Sequence, residues 1–267
     1  MPPRRRPDRS RAEMPAAATP EENPLQRIER AKELRFSGYA GMEPYFGRDA
    51  AGRWGGVCIE LAEQLARFLA VEFRVVETTP ADAPAELAAG RLDLGCDSNA
   101  APEADSAVER SRPLFDDFCV LVGHGKFAAP TTWDALDVPE TTIAVGTGSP
   151  EAALVQRLVV RATITGFRTR QDAVSAVLSG RSDAFPAPVF AALLERKRHP
   201  ALGPPVFPSP YMPMQPVLAM AAEPEHRLRD LIDKWHAENR GKFRDWILSA
   251  LAKYGIDAKD LPPQISL

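Results

Sequence analysis

From residue 25 onward, apolar and polar positions alternate in two different periods, and the periods change places at Gly- and Pro-marked boundaries. Residues 25–33 carry a short amphipathic helical pattern. Residues 34–37 read as a strand running into the turn Gly38-Tyr39-Ala40-Gly41. Residues 49–55 (DAAGRWG) have hairpin chemistry. A helix is predicted over 57–69, with Val57, Leu61, Leu65, Phe68 and Leu69 on its apolar face. A strand at 72–78, a short helix at 84–89 closed by Gly90, and a buried strand at 92–96 follow.

The second half repeats the alternation. A strand falls within 113–123 and a short helix at 133–136. A strand at 142–145 leads through Gly146-Thr147-Gly148-Ser149 into a helix over 151–160. Ser149 stands at its N-cap and Pro150 at its first position, the pairing that starts helices most cleanly. A strand (164–167), a helix (171–178) and a strand (183–185) come next. Gly90-Arg91-Leu92-Asp93 and Gly180-Arg181-Ser182-Asp183 occupy the same place in each half, between a helix end and a strand start. After a strand at 216–222, two helices are predicted, 223–239 and 242–254, with no further strands to pair. Repeated βαβ units imply an α/β fold in two similar lobes, each with a mostly parallel sheet covered by helices.

Composition narrows the class. The 267 residues are 45% hydrophobic and 26% charged, with 33 Lys plus Arg against 36 Asp plus Glu, a net charge of -3. That balance argues against a nucleic-acid binder driven by bulk charge. No apolar run reaches the ~18–20 residues of a membrane span, so no membrane insertion is expected. Residues 1–24, rich in Pro, Arg and Ala, are expected to be disordered. Arg4-Arg5-Arg6 is followed by no apolar stretch, so no secretory signal is visible in that segment. Cys58, Cys96 and Cys119 match no metal spacing and are expected as free, buried thiols; neither a metal nor another cofactor is expected.

Three polar clusters follow strand ends, where open α/β sheets bind ligands. Gly148, Thr147 and Ser149 open a helix whose free N–H groups suit a polar or anionic group, though neither a phosphate loop nor a dinucleotide fingerprint is complete. Asp97, Ser98 and Asn99 follow the 92–96 strand. Tyr39, Glu43 and Tyr45, with Met42, crowd the turn after the first strand; Tyr45 and Met42 are read equally well as core. Glu151, in the first turn of its helix, matches the helix dipole and is also a candidate ligand contact. The run Glu195-Arg196-Lys197-Arg198 reads as an exposed helix end. The four histidines are scattered, two of them on a helix expected to be solvated, and no hydrolase or metalloprotease motif occurs, so no catalytic residue is assigned.

The order of these pieces carries a resemblance. An aromatic loop (Tyr39–Tyr45) is followed by a D-x-x-G-x-x-x-G turn and a helix with Gly56, Leu61, Ala62, Leu65 and Ala66. Then come L-x-x-G-R-x-D-L (87–94), Pro102-Glu103, S-x-P-L-F (111–115), I-A-V-x-x-G-S (143–149), G-R-S-D-A (180–184) and a C-terminal W-I-L-x-x-L-x-K-Y-G-I. Over roughly residues 25–257 the chain resembles the family 3 solute-binding proteins, the amino-acid-binding type of periplasmic receptor for ABC transporters. The resemblance implies a two-lobe type II periplasmic-binding-protein-like fold with two hinge crossings, near 120–123 and 213–217. The first lobe would be 25–120 plus 216–267 and the second 121–215. It also implies a monomer that captures a small polar ligand between the lobes and hands it to an ABC transporter permease, in the periplasm. The unseen signal leaves a cytoplasmic or sensor-associated domain as an alternative. A second alternative is an enzyme like the cyclohexadienyl dehydratases of this family, working in the same cleft.

The departures bear on the ligand. Family amino-acid receptors hold the ligand carboxylate with the Arg of a P-E-R segment; Ala104 stands at the matching place. The acidic residue that holds the ligand ammonium is matched by the Phe185-Pro186-Ala187 region. The resemblance therefore implies a neutral to acidic cleft built from Tyr39, Glu43, Asp97, Ser98, Asn99, Ser149 and Glu151. Its ligand would be neutral or cationic and not a standard α-amino acid, unless Arg110 or Arg112 reaches into the cleft from the adjacent loop.

Overall fold

The computed structural model describes residues 22–98, 107–125, 127 and 130–267. Most of the N-terminal segment, Asn99 and Pro102-Glu103-Ala104 lie outside these residues.

The chain enters through helix α1 (Pro24–Ala31), which the capping box of Asn23 and Gln26 starts and Pro24 pre-shapes. Strand β1 (Glu33–Gly38) follows, then a hairpin of two short strands, β2 (Gly47–Arg48) and β3 (Trp54–Gly55). Helix α2 (Val57–Leu69) matches the expected span, and Leu61, Leu65 and their neighbours are buried. Phe68 is a correction: it is 47% exposed, one position round from the stripe that Leu65 and Ala66 bury. Gly56 stands before α2 at φ 115°, where a Cβ would meet the Tyr45 carbonyl oxygen at 2.5 Å. No other residue fits that close approach between α2 and the aromatic loop.

Next come β4 (Glu72–Glu77), α3 (Ala83–Ala88), β5 (Gly95–Ser98), β6 (Val108–Arg110) and β7 (Phe118–Gly123). The second half contains α4 (Trp133–Leu136), β8 (Thr142–Gly146), α5 (Pro150–Leu158), β9 (Thr163–Phe167), α6 (Arg170–Leu178), β10 (Ala184–Pro188) and α7 (Val189–Arg198). The chain closes with β11 (Met212–Pro213), β12 (Pro216–Ala221) and α8 (Arg227–Ala252). Ser149 caps α5 by accepting from the Ala152 N–H at 3.1 Å, as the Ser-Pro pair predicts.

Strands fall into two groups. In the first lobe β1 pairs parallel with β4, and a bridge from Phe36 to Leu94 links this pair to the order β5-β12-β6, which is antiparallel. In the second lobe the order is β11-β7-β10-β8-β9. There β10, β8, β9 and the short β11 share one direction, and β7, between β11 and β10, runs against them. The sheets are thus mixed rather than mostly parallel. The returning crossing places antiparallel strands at the middle of the molecule. Those strands are β7 and β11, which lie side by side with Met212 opposite Cys119 and Pro213 opposite Phe118.

The repeated G-R-x-D segments do the same job in both lobes. Asp93 pairs by its backbone with Arg35 of β1 and its carboxylate accepts the Arg35 N–H at 2.7 Å. Asp183 pairs with Thr142 of β8 and accepts its N–H at 2.7 Å.

Two further expectations are corrected. The two C-terminal helices are one helix of 26 residues, because Gly241 interrupts it only at the ~1 kcal/mol cost of an internal glycine. Aromatic packing bridges that point: Trp235 meets Phe243 at 5.2 Å and Trp246 at 6.1 Å between ring centroids. Within it His236 is half-buried rather than solvated; its ring meets Phe243 at 4.6 Å and burial lowers its pKa. Glu195 is buried at 1% exposure rather than lying at a solvated helix end. It accepts from Gln171 at 2.8 Å and pairs with Arg198 at 3.3 Å. Helix α7 is buried all round from Val189 to Glu195, because it packs on its own sheet and also against the first lobe. Phe190, fully buried, stacks between Tyr45 and Phe115 at centroid distances of 5.8 and 5.6 Å.

Candidate ligand-binding cleft

Two walls from different lobes face each other across a cleft with a free interior of about 120 Å³, room for roughly four waters or a small organic group. The first lobe contributes Tyr39, Met42 and Tyr45 from the loop after β1, Cys58 from α2, Asp97 and Ser98 from β5, and Arg110 from β6. The second contributes Pro150 and Glu151 from the start of α5, Arg170 from the start of α6, and Pro188 at the end of β10. Most of the lining is apolar, and charge is confined to a few paired groups.

Those pairs define the electrostatics. The Arg110 Nε and Nη2 both donate to Asp97 Oδ2, at 3.1 and 2.7 Å. On the other wall Arg170 Nη2 donates to Glu151 Oε1 at 3.3 Å, and Glu151 is 5% exposed. Between the walls lies Asp117, fully buried, whose carboxylate accepts from the Tyr45 hydroxyl and from the Val189 and Phe118 N–H groups. Burial pushes the Asp117 carboxyl up to about 7 against the pull of those three donors, and the nearby Glu151 charge adds to the rise. Burial likewise raises the Tyr39 and Tyr45 hydroxyls, so both are neutral at physiological pH. The Cys58 thiol faces Cys96; both are free and buried, and desolvation with that neighbour raises Cys58 well above the usual thiol range.

The structure brings five of the sequence-selected residues onto the cleft surface: Tyr39, Tyr45, Asp97, Ser98 and Glu151. Asp97 and Ser98 are the last two residues of β5 rather than the turn after it, because the strand begins at Gly95. The others are placed elsewhere. Glu43 points away to Arg198, 3.8 Å distant. Ser149 is occupied as a helix cap, and Thr147 and Gly148 are exposed at the turn. Asn99 lies outside the described residues.

Two cleft residues, Arg170 and Asp117, escaped the sequence reading, and a third was placed differently. Arg170 begins a helix that was expected to start at 171, and it follows β9 at a carboxyl end, the same position that singled out Ser149. Asp117 sits in the apolar run Pro113–Gly123, where a lone carboxylate is itself a signal of a buried role. Arg110 was weighed as an intruder from the loop; it lines the cleft from β6, whereas Arg112 is exposed and turned to Asp233. The cleft therefore holds two guanidinium groups, which corrects the expectation of a site without cations.

Among the described residues no helix is long and apolar enough to cross a membrane, and no group of three or more His, Cys, Asp or Glu is placed to hold a metal. No family model matches the chain, and no curated protein matches it. Solved structures do. The ancestral amino acid-binding protein AncCDT-1, a precursor of cyclohexadienyl dehydratase, superposes with a TM-score of 0.70 at 21% identity, over 85% of this chain and 98% of that one. ArgBP from T. maritima gives 0.72 at 22% identity, over 86% and 100%. The amino acid ABC transporter substrate-binding protein AbpA from Streptococcus pneumoniae, solved bound to L-arginine, gives 0.72 at 18%, over 86% and 98%. At these identities the likeness speaks for the architecture: the chain has the two-lobe, periplasmic-binding-protein-like α/β fold of these structures.

Proposed function

We propose that this protein is a solute-binding protein that captures a small polar ligand between its lobes, closes over it, and delivers it to an ABC transporter permease. The observation that carries the reading is the cleft itself, a concave apolar space whose few polar groups come from both lobes. On this reading the first lobe is 25–120 plus 216–267, the second is 121–215, and Tyr39, Tyr45, Asp97, Ser98 and Glu151 touch the ligand together with Arg110, Arg170 and Asp117. The periplasm is where such a receptor works.

The ligand follows from the charge balance. Each cleft guanidinium already faces a carboxylate, and Asp117 is a third acid. A ligand carboxylate would have to break an existing ion pair, while a cationic or neutral group meets acceptors directly. The ligand is therefore neutral or cationic, with a small apolar body lying against the Tyr39 and Tyr45 rings.

Thermal-shift screening against the twenty amino acids, dicarboxylates and cationic solutes, followed by calorimetry, tests both statements. A true ligand at 100 times its Kd stabilises by ~2.7 kcal/mol. Small-angle scattering should then show compaction. An unchanged radius of gyration with a bound ligand overturns closure, and micromolar binding of an anionic solute overturns the charge argument. The cleft residue Glu151 also keeps an enzymatic reading measurable: turnover of prephenate or arogenate would assign dehydratase chemistry to the same cleft.

A further inference from the structure

Asp117 stands where both lobes and both crossings meet. Its side chain takes the Tyr45 hydroxyl from the first lobe and the Val189 N–H, at 2.9 Å, from the start of α7 in the second. Its own carbonyl accepts the Met214 N–H at 2.9 Å, tying the outgoing crossing at β7 to the returning one after β11. Around it, Phe190 of α7 stacks on Tyr45 and Phe115 of the first lobe. The same carboxylate lines the cleft. One buried acid thus joins the two bodies that must move apart, and it lies on the surface that opening would wet.

We propose that Asp117 is an interlobe latch whose protonation is coupled to closure: closing the cleft takes up a proton at this carboxyl, and opening releases it. The groups facing Asp117 are Tyr45 from the aromatic loop, Cys58 from α2, Cys119 from β7, Glu151 from α5 and Arg170 from α6, with the N-terminus of α7 at Val189. Tyr45, Cys58 and Cys119 are all held neutral by burial, well above their ordinary values. Glu151 and Arg170 pair with each other. Burial pushes the Asp117 carboxyl up to about 7.

The sign follows from linkage. A solvated Asp titrates near ~3.9, while Asp117 as buried here under Tyr45 and Val189, the arrangement that the proposal takes as closed, holds its proton up to about 7. Between those limits the closed form binds more protons than the open one. The closing equilibrium constant therefore falls as pH rises through that window, by up to tenfold per pH unit, and levels off above about 7. Raising the pH loosens the latch; lowering it fastens it.

The proposal rests on the hinge motion inferred above and needs no ligand. Small-angle scattering of the ligand-free protein from pH 5 to pH 9 reads it directly. The expected result is a radius of gyration that grows as pH rises toward 7 and then stays constant. Asp117→Asn, which keeps an acceptor for Val189 and Phe118 but has no proton to exchange, should be compact and flat across the range. Tyr45→Phe keeps the ring stack and removes one donor that favours the carboxylate, so its plateau should begin at higher pH. The second variant also serves if the first fails to fold. A flat wild-type profile overturns the latch, as does a pH response that persists unchanged in Asp117→Asn or a plateau that stays put in Tyr45→Phe. A flat profile beside ligand-driven compaction would refute the latch and leave the binding-protein reading standing.

Discussion

The paired G-R-x-D motifs offer a stability test with its own internal control. Asp93 and Asp183 are equivalent in backbone role, each accepting the N–H of a first-lobe or second-lobe strand at 2.7 Å. Their surroundings differ. Asp93 is 3% exposed and also receives Arg35 Nη2 at 2.8 Å, Arg35 Nε at 3.2 Å and the Arg27 guanidinium. Arg35 itself is 1% exposed and Arg27 6%. Asp183 is exposed and faces no such pair among the described residues. Replacing either by Asn conserves shape and removes one negative charge. At position 93 this strands two buried guanidinium groups with an amide as their acceptor, and breaking a buried pair this way costs ~3–5 kcal/mol. At position 183 only one partly solvated bond weakens, a loss of ~0.5–1.5 kcal/mol. In urea, with a slope of ~2–3 kcal/mol/M for a chain of this size, Asp93→Asn should lower the midpoint by roughly 1–2 M and Asp183→Asn by about 0.5 M or less. Tryptophan fluorescence follows both lobes, since Trp54, Trp235 and Trp246 lie in the first and Trp133 in the second. Equal midpoints for the two variants, or a loss below ~1 kcal/mol at Asp93, would refute the reasoning that burial rather than motif sets the cost.

Phe190→Ala should destabilise by ~3–5 kcal/mol and loosen the lobes, because a fully buried ring stacked on Tyr45 and Phe115 leaves a cavity at their junction; a thermal unfolding scan that barely moves would contradict this. Native thiol titration should find no reactive cysteine and denatured titration should find three, since Cys58, Cys96 and Cys119 are all free and buried; a denatured count of one would reveal a disulfide. Ser149→Ala should cost ~1 kcal/mol through loss of the α5 cap while leaving ligand affinity nearly unchanged, because the hydroxyl is spent on Ala152; a large affinity loss in calorimetry would return Ser149 to the ligand set.

What the sequence made legible was local. Helix α2 was readable to the residue because Gly56 and the apolar spacing at Leu61 and Leu65 are set within one segment. The α5 start was readable because Ser149 and Pro150 carry their geometry with them. The lobe pairing was readable because the G-R-x-D turns recur. The continuous α8 was not, since nothing in Asn239–Lys242 announces that Trp235, Phe243 and Trp246 will stack across the glycine. Phe68 and Glu195 went wrong for a related reason: a periodic stripe gives a face to within about one residue, and the partner decides which edge is covered.

The cleft shows the same limit with larger consequences. Tyr39, Asp97 and Glu151 were found because each lies at or just past the carboxyl end of a strand, a position that topology makes functional whatever the side chain. Arg110 and Arg170 were harder, since an arginine in a polar stretch reads as surface until a carboxylate from another segment is seen beside it. Asp97 is 13 residues from Arg110, and Glu151 is 19 from Arg170. Asp117 draws on Tyr45, 72 residues upstream, and on Val189, 72 downstream. Such spacings leave no local pattern, yet they decide the chemistry. Without the two arginines the cleft would be an acidic surface open to any cation. With them, Asp97 and Glu151 are held in place by partners that a ligand must match or displace, and Asp117 holds its proton up to about 7 because burial strips it of water, with the Glu151 charge adding to the rise. The selectivity argued for this cleft therefore resides in pairings between segments that only the fold brings together.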